Sequence, residues 1–327
     1  ASLLNRTPGA LSAKLLGEFV PVFMLHRIAN EDNDFKGHDK AHLKWCLSYV
    51  RKNGFHPLAL PELITLLSSG QPLPPKSVVF TIDDGFNDNI TDAGELFSEF
   101  DIPLTCFVIT DFIDGAIWPW DDQITYCLNN TIAQACSFTL PDGTQFECDF
   151  SLKSKGNYLN QIREKLKKLN QDNLYSWLNN EFYPAIQVDI PPQAPRNFKP
   201  ATWDEINEFT RKGHIAAPHT LSHRILSSLS DNESEKEISA SWSRLKEMVP
   251  DASPVFAYPT GRPDDFGERE KQYCKTCGLS GAVSTEIDYA RRGEDIFSVS
   301  RFALPASQFD FLQYVGLIEA LKMKLRG

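Results

Sequence analysis

The stretch VVFTIDDGFND, residues 78–88, is the most informative part of the sequence about the fold of this chain. An apolar and β-branched run leads directly into Asp83 and Asp84, which are followed by Gly85. A continuous apolar run of this length is typical of a buried strand in a parallel sheet. Two adjacent carboxylates repel each other, so keeping both ionised at a strand end requires a cation, a proton or open water. The stretch therefore predicts a buried strand that ends in a polar site.

Strand-like runs and amphipathic, helix-length segments alternate along the chain. A length of 327 residues allows either two average domains or one large barrel. Alternating strands and helices indicate a parallel sheet covered by helices, and seven such units favour one closed or nearly closed β/α barrel over residues 1–327. The predicted strands lie at residues 21–26, 77–83, 104–110, 214–219, 254–259, 280–285 and 296–301.

Polar residues occur at the last position of these runs or just beyond it. In a parallel barrel the carboxyl ends of the strands meet on one face, where barrel enzymes have their active sites. We therefore expect these side chains to share one pocket. They are His26, Asp83, Asp84, Thr110, His219, Tyr258 and Arg301.

The segment APHTLSH, residues 217–223, contributes candidate metal ligands. His219 and His223 are four residues apart, so they share one face if the chain turns helical after Pro218. Two histidines and an aspartate, with positions left for water, form the ligand pattern of a hydrolytic zinc-type site. A histidine pair at this spacing also occurs as ordinary surface residues, and the pair alone does not distinguish the two.

Taken together, the motifs resemble those of the polysaccharide deacetylases of the NodB-homology type, carbohydrate esterase family four. TIDDGFNDN resembles the first family motif, and HTLSH followed by Leu226 resembles the second. The resemblance continues through MLHRI, GFHPLALPEL, PLTCFVIT, TWDEINEFTRKGH and FAYPTG, and covers about residues 18–305 with one insertion. It implies a distorted β/α barrel of about seven parallel strands that uses one divalent metal ion, usually zinc, to hydrolyse N-acetyl groups of sugars.

The resemblance also implies roles for individual residues. By position, Asp84, His219 and His223 are the metal ligands and Asp83 is the general base. The backbone N–H of Thr260, in the YPTG turn, is the expected donor to the developing oxyanion.

Two departures from the family pattern concern the catalytic groups. Ala257 stands where many members have the arginine that orients the base, so Arg301 is either its substitute or part of an ordinary surface ion pair. No histidine follows His223, where the family's general acid usually lies. His26 is the candidate acid because some relatives have this element permuted to the N-terminus; the alternative is a buried core histidine.

Residues 118–200 interrupt the resemblance and are predicted to be an inserted lid or side wall. Trp118 and Trp120 lie at its root, where they either stack on a sugar ring or anchor the insertion. Tyr258 is a third candidate substrate contact, and Asp121 and Asp122 give a weaker signal for binding a hydroxyl or a cationic product.

Composition limits the classes of partner. The chain has 33 basic and 43 acidic residues, a net charge of −10, and no basic run, which argues against nucleic acid and anionic membranes. No apolar run reaches the roughly 20 residues of a membrane span, and no secretion signal is visible. Seven cysteines on a long chain favour reduced thiols, so a cytoplasmic location is expected.

The leading functional hypothesis is a metal-dependent N-deacetylase acting on an N-acetylated sugar in a polysaccharide or glycan precursor. Two alternatives stay open: hydrolysis of a non-sugar amide or cyclic imide on the same barrel, and a carbohydrate-binding relative that has lost catalysis. A phosphoesterase is less favoured, because it would require a second metal ion and more ligands at the strand ends.

Overall fold

Parallel strands form the centre of the fold. A computed structural model of the chain describes residues 18–29 and 37–326. Within these ranges the strands are, in chain order, β1 (Val22–Leu25), β2 (Ile28–Ala29), β3 (His38–Asp39), β4 (His56–Pro57), β5 (Ser77–Ile82), β6 (Thr105–Val108), β7 (Ala135–Thr139), β8 (Gln145–Asp149), β9 (Ile215–Pro218), β10 (Val255–Ala257), β11 (Gly281–Val283) and β12 (Phe302–Ala303).

The central sheet is built around β5, all of whose residues are buried. Its order is β12-β1-β5-β6-β9, with β4 paired to the start of β5, and all of these pairs are parallel. Outside the central sheet, β2 pairs with β3 and β10 pairs with β11, both in parallel, and a single bridge joins β11 to Val299. The prediction of an α/β fold with a parallel sheet is confirmed. In the part of the chain that the structure describes, β9 and β10 share no ladder, so a closed barrel stays a prediction.

The last strand lies later than the sequence predicts. Residues 296–301 contribute only the bridge at Val299, and β12 follows them at Phe302. The reason is local: Asp295 accepts hydrogen bonds from the N–H groups of Phe297 (2.9 Å, to its carboxylate) and Ser298 (2.9 Å, to its carbonyl). These bonds form a turn instead of a strand ladder.

Amphipathic helices cover the sheet, and capping residues set several of their ends. Thr202 and Glu205 form a capping box at the start of the helix that precedes β9. The helices are α1 (Lys40–Lys52), α2 (Leu60–Ser69), α3 (Gly94–Glu99), α4 (Thr110–Ile113), α5 (Trp120–Asn130), α6 (Lys155–Leu166), α7 (Leu174–Trp177), α8 (Tyr183–Ile186), α9 (Trp203–Arg211), α10 (Asp231–Met248), α11 (Glu268–Thr276), α12 (Gln308–Val315) and α13 (Leu317–Arg326).

Both faces of the strands are buried, each in a different cluster. Phe80 of β5 packs in the larger cluster, together with residues of the surrounding helices. Val79, on the opposite face, packs with Phe107, Ala217 and Val283 from other strands. Continuous apolar strands are what such two-sided burial requires.

Residues 118–200 lie between β6 and β9, although these two strands are direct neighbours in the sheet. The segment contains α5 to α8 and the antiparallel hairpin β7–β8, whose turn has the sequence PDGT. Its helices and hairpin have a hydrophobic cluster of their own, which includes Trp120, Phe138 and Trp177. The segment is thus a compact addition at one point of the sheet.

All seven cysteines carry free thiols. Among the described helices, none is both long and apolar enough to cross a bilayer.

Candidate active site

The candidate site is a cavity of about 340 Å³ at the carboxyl ends of β1, β5 and β9. His26 follows β1, Asp83 and Asp84 follow β5, and His219 follows β9. Of the seven side chains expected to share a pocket, these four and Tyr258 line the cavity, whereas Thr110 and Arg301 are buried and do not line it. The lining residues are Met24, His26, Arg27, Asp83, Asp84, Phe86, Pro119, Asp121, Asp122, Arg163, Lys167, His219, His223, Tyr258, Thr260, Arg262 and Thr285.

Asp84, His219 and His223 form a group that could hold a metal ion, with ligand atoms within 4.8 Å of one another. Asp84 Oδ1 lies 3.6 Å from Nε2 of each histidine, and it is buried without a hydrogen-bond partner. Two ligand atoms that each lie about 2.1 Å from one tetrahedral ion are about 3.4 Å apart. The spacing and the unsatisfied oxygen therefore fit a single divalent cation.

A hydrogen bond to the backbone sets the orientation of the His219 ring. Its Nδ1 lies 2.7 Å from the carbonyl oxygen of Ala257, to which it donates. This bond makes Nδ1 the protonated nitrogen and leaves the Nε2 lone pair facing Asp84. Position 257, where many family members have arginine, thus supports a ligand through its backbone.

Burial shifts the pKa of two of the three candidate ligands, His219 and Asp84. It lowers the pKa of His219 to about 3, so this imidazole is neutral and ready to bind a cation. Burial also raises the pKa of Asp84 to about 7; His223 opposes this rise, and Asp83 and Asp121 add to it. A cation would reverse this effect, because it favours the ionised carboxylate.

We expect metal affinity to depend on pH through Asp84. Its pKa of about 7 without metal means that a proton competes with the cation at lower pH, whereas above 7 the carboxylate is free. Affinity should therefore fall about tenfold per pH unit below 7 and level off above it. Titration of the metal-free protein with Zn²⁺ against a competing chelator from pH 5.5 to 8.5 measures this. A flat profile would show that Asp84 is not the titrating ligand.

The two histidines meet across a loop, so the helical turn after Pro218 that would place them on one face is not formed. Residues after β9 form no helix until the short 3₁₀ turn Leu226–Ser228. Thr220 and His223 instead have left-handed backbone, with φ of 68° and 58°. The Thr220 hydroxyl accepts a hydrogen bond of 3.0 Å from the His223 N–H, which closes the loop. This local bond competes with a helical one and explains why helical spacing was misleading.

Left-handed backbone is concentrated at this site. Among the described residues that are not glycine, seven have positive φ, and four of these are Asp84, Thr220, His223 and Thr260. Each such residue costs on the order of 1–3 kcal/mol and persists only where its surroundings hold it. The site is therefore rigidly supported.

Asp83 forms a buried, bidentate ion pair with Arg301. The guanidinium donates to Asp83 Oδ1 at 2.8 Å and Oδ2 at 2.9 Å, and Arg301 is only 1% exposed. It also donates to the Ser284 carbonyl and the Thr81 hydroxyl. Burial opposes ionisation of Asp83, but Arg301, His219 and His26 together hold its pKa below the usual value. The pair is not the surface ion pair that was the alternative for Arg301.

We expect Arg301→Met to lower the free energy of unfolding by about 3–5 kcal/mol, since it leaves Asp83 as an uncompensated buried charge. Arg244→Met is the matched control. Arg244 also donates two hydrogen bonds to one carboxylate, that of Asp114, but the Arg244 side chain is 33% exposed. An exposed pair contributes about 1 kcal/mol or less. Denaturant unfolding measures both, and equal losses would contradict the burial argument.

His26 has an exposed side chain that faces the cavity. Although this face is open, the protein around the ring lowers its pKa by desolvation, which Asp83 opposes. The His26 backbone is fixed by Asn89, whose amide donates to its carbonyl at 2.6 Å. Asn89 also accepts hydrogen bonds from the N–H groups of Gly85 and Phe86. Because its side chain is exposed to the cavity, His26 is not the buried core histidine of the alternative interpretation.

Asn89 was not identified from the sequence, although it stands in the quoted TIDDGFNDN motif. Its amide connects the end of β1 to the turn that follows β5. An asparagine shortly after a glycine turn is a signal for such bonds to the backbone. The signal does not indicate which second segment the amide reaches.

Thr260 and Tyr258 have different relations to the cavity. The Thr260 hydroxyl donates to Asp265, and its N–H makes no hydrogen bond within the described residues. That N–H is available to a substrate oxygen. The Tyr258 ring, in contrast, is 1% exposed, stacks on Phe266, and donates its hydroxyl hydrogen to the Phe297 carbonyl. The Tyr258 ring is thus part of the core. Because it is buried and its hydroxyl already has a partner, the structure does not support the expected contact with the substrate.

The two tryptophans lie behind the cavity, and neither is among the residues that line it. Trp118 packs edge-on against Tyr126 and contacts Phe198. The Trp120 indole N–H donates to the His223 carbonyl at 3.0 Å. This placement favours the anchoring alternative over stacking on a sugar.

Four basic residues at the cavity were not identified from the sequence. Arg27 donates to Asp88, and Arg163 donates to Asp121. The others are Lys167 and Arg262. Arg27 directly follows His26, and this position is a weak sequence signal that Arg27 lies near the cavity. Nothing in the sequence shows that the helix α6 directs Arg163 into the site.

Comparison with known proteins gives consistent matches. A family model described as polysaccharide deacetylase matches residues 154–281. Poly-beta-1,6-N-acetyl-D-glucosamine N-deacetylase of Escherichia coli (strain K12) is 26% identical over 103 residues, which are 31% of this chain and 15% of that protein. Putative polysaccharide deacetylase YxkH of Bacillus subtilis (strain 168) is 30% identical over 92 residues, 28% of this chain and 32% of that protein. The match thus spans less than a third of either relative.

A solved structure extends the likeness to the whole fold. The Streptococcus pyogenes deacetylase PplD, in complex with acetate, superposes with a TM-score of 0.60. It is 17% identical to this chain, and the alignment covers 91% of this chain and 98% of that one. At this identity the likeness demonstrates a shared fold.

Proposed function

Because this chain belongs to the polysaccharide deacetylases of the NodB-homology type, we propose that it is a metal-dependent hydrolase that removes N-acetyl groups from an N-acetylated sugar. The observation that carries the proposal is the buried Asp83–Arg301 pair directly beside Asp84, His219 and His223. A carbohydrate-binding protein has no need of an ionised base next to three metal ligands. The Asp83–Arg301 pair therefore argues against the alternative that the protein is a carbohydrate-binding relative that has lost catalysis.

One divalent ion, which we propose to be zinc, would be held by Asp84, His219 and His223. When bound, such an ion lowers the pKa of water and polarises the amide carbonyl. Two histidines and one carboxylate are a known catalytic ligand set for zinc.

The protein's own groups carry the proton transfers. Asp83 accepts a proton from the attacking water, and Arg301 keeps its carboxylate ionised and fixed in one orientation. The Thr260 N–H donates to the amide oxygen as negative charge develops there. His26, exposed in the cavity, then donates a proton to the leaving amine. The reaction yields acetate and a free amino sugar.

Residues 118–200 would form one wall of this site within a single domain. Arg163 and Lys167, at the end of α6, line the cavity opposite the strand ends. The strands themselves support a distorted barrel of about seven strands, because Val79, Ala217 and Val283 pack in one cluster across them. The Trp118 and Trp120 rings anchor the wall, so sugar contacts fall to the polar and charged lining residues.

We expect His26→Ala to lower the turnover rate about 100-fold, the usual scale for one general acid, and to leave metal content unchanged. The wild-type rate should fall as pH rises through the pKa of His26, because only the protonated ring can donate. The variant should lack this decline. His42→Ala is the control, since His42 is bonded to the Pro305 carbonyl away from the cavity. Loss of metal in His26→Ala would identify His26 as a ligand instead.

The substrate class is tested with a panel of acetylated compounds and one cyclic imide. β-1,6- and β-1,4-linked N-acetylglucosamine oligomers, an N-acetyl amino acid and a cyclic imide are incubated with the Zn²⁺-loaded protein. Acetate and free amine are measured for the acetylated compounds, and ring opening for the imide. Acetate release from a sugar oligomer supports the proposal. Turnover of only the amino acid or the imide would contradict it and favour the non-sugar amide alternative.

A further inference from the structure

We propose that the segment 118–200 positions the metal ligand His223 through Trp120 and Tyr175, which act as positioning residues outside the cavity. The proposal rests on the metal site of the proposed function. It assigns to this segment a role in metal affinity, in addition to that of a wall beside the substrate.

His223 lacks the support that His219 has. The Nδ1 atom of His223 is buried without a hydrogen-bond partner, whereas the Nδ1 of His219 donates to Ala257. The His223 ring is therefore oriented by its backbone and packing alone. That backbone is left-handed, with φ of 58°, a conformation that a non-glycine residue keeps only under constraint.

The constraint comes in large part from residues 118–200. The Trp120 indole N–H donates to the His223 carbonyl at 3.0 Å, and the Tyr175 hydroxyl donates to the Ser222 carbonyl at 2.8 Å. The Gln171 side chain accepts from the Ile225 N–H at 2.7 Å. Three consecutive peptide groups around the ligand are thus held by one segment.

The opposite side of the loop is fixed to the helix α10. Glu237, fully buried, accepts hydrogen bonds from the Ser222 N–H at 2.9 Å and from the Arg224 guanidinium. His223 therefore lies between two anchored neighbours, and among the described residues only Trp120, from the 118–200 side, donates to the His223 carbonyl. Loss of that bond would free the peptide to leave the left-handed conformation.

The segment also offers matched control residues. Trp177 and Tyr158 belong to the same hydrophobic cluster as Trp120. The Trp177 indole N–H donates to Thr139 at 2.7 Å and the Tyr158 hydroxyl to Asp149 at 3.2 Å, both within the segment. Replacing them by phenylalanine removes the same groups without touching the His223 loop.

The experiment compares four full-length variants: Trp120→Phe, Tyr175→Phe, Trp177→Phe and Tyr158→Phe. Zn²⁺ affinity is measured by chelator competition, and the visible spectrum of the Co²⁺-loaded protein reports ligand geometry. We expect about tenfold weaker binding and an altered Co²⁺ spectrum for the first two, in the range found for partners that orient metal ligands. The two controls should match the wild type in both readouts.

Wild-type affinity and spectrum in Trp120→Phe and Tyr175→Phe would overturn the proposal. So would equal losses in all four variants, because these would reflect general destabilisation, which thermal unfolding measures independently. If the wild type binds no metal, the metal site itself is wrong. This outcome differs from failure of the positioning proposal, because it is seen in the wild type before any variant is compared with it.

Discussion

Asp83→Asn is expected to reduce turnover about 10³-fold while one divalent ion stays bound, because the amide cannot accept the proton of the attacking water. Asparagine has nearly the same shape as aspartate and still accepts a hydrogen bond from Arg301. The proposed metal ligands Asp84, His219 and His223 are unaltered by this substitution. Acetate release and metal content, measured on the same preparation, test the two parts of this expectation.

A control separates loss of the base from loss of an ion pair. Asp114 also accepts two hydrogen bonds from an arginine, Arg244, at 2.9 and 2.8 Å, but it lies outside the candidate active-site cavity. Asp114→Asn should leave turnover unchanged. Undiminished activity of Asp83→Asn would remove Asp83 as the base, and a loss of metal would make it a ligand.

Asp84→Asn is expected to abolish metal binding at concentrations that saturate the wild type. Asp84 is the one anionic member of the ligand group, and its Oδ1 faces both histidines at 3.6 Å. Affinity should fall more than 100-fold, since residues that only orient ligands already cost 10–100-fold. Chelator competition and acetate release should decline together.

Asparagine is the suitable replacement at this position because Asp84 has a φ of 84°. Asparagine tolerates left-handed backbone better than most residues, so the variant should fold with the turn intact. Asp84→Asn then loses metal and activity, whereas Asp83→Asn loses activity alone. Metal content equal to the wild type in Asp84→Asn would contradict the proposed ligand group.

The strand ends of the site could be predicted from the sequence, because apolar runs and the acids that follow them are local signals. The placement of His26, Asp83, Asp84 and His219 around one cavity follows from parallel strands alone. The path of the chain between His219 and His223 could not be predicted. Left-handed backbone at threonine and histidine depends on partners such as Glu237, which lies 15 residues beyond Ser222.

Long-range partners were predictable only in part. The sequence predicts Arg301 at the end of a strand, but the residue precedes β12. It reaches Asp83, 218 residues away, because the strand order β12-β1-β5 brings the two segments together. Trp120 offered two equally reasonable interpretations, because an indole suits a core as well as a sugar-binding surface. Arg163 and Lys167 are ordinary helix residues, and the direction in which α6 presents them is set by tertiary packing.

Metal dependence of the reaction is tested most directly by acetate release during titration of the chelator-treated protein with Zn²⁺, with an N-acetylglucosamine oligomer as substrate. We expect no release from the metal-free protein, a linear rise with added Zn²⁺, and a plateau at one equivalent. Release that is equally fast without metal would contradict the claim that Asp84, His219 and His223 act by holding a cation.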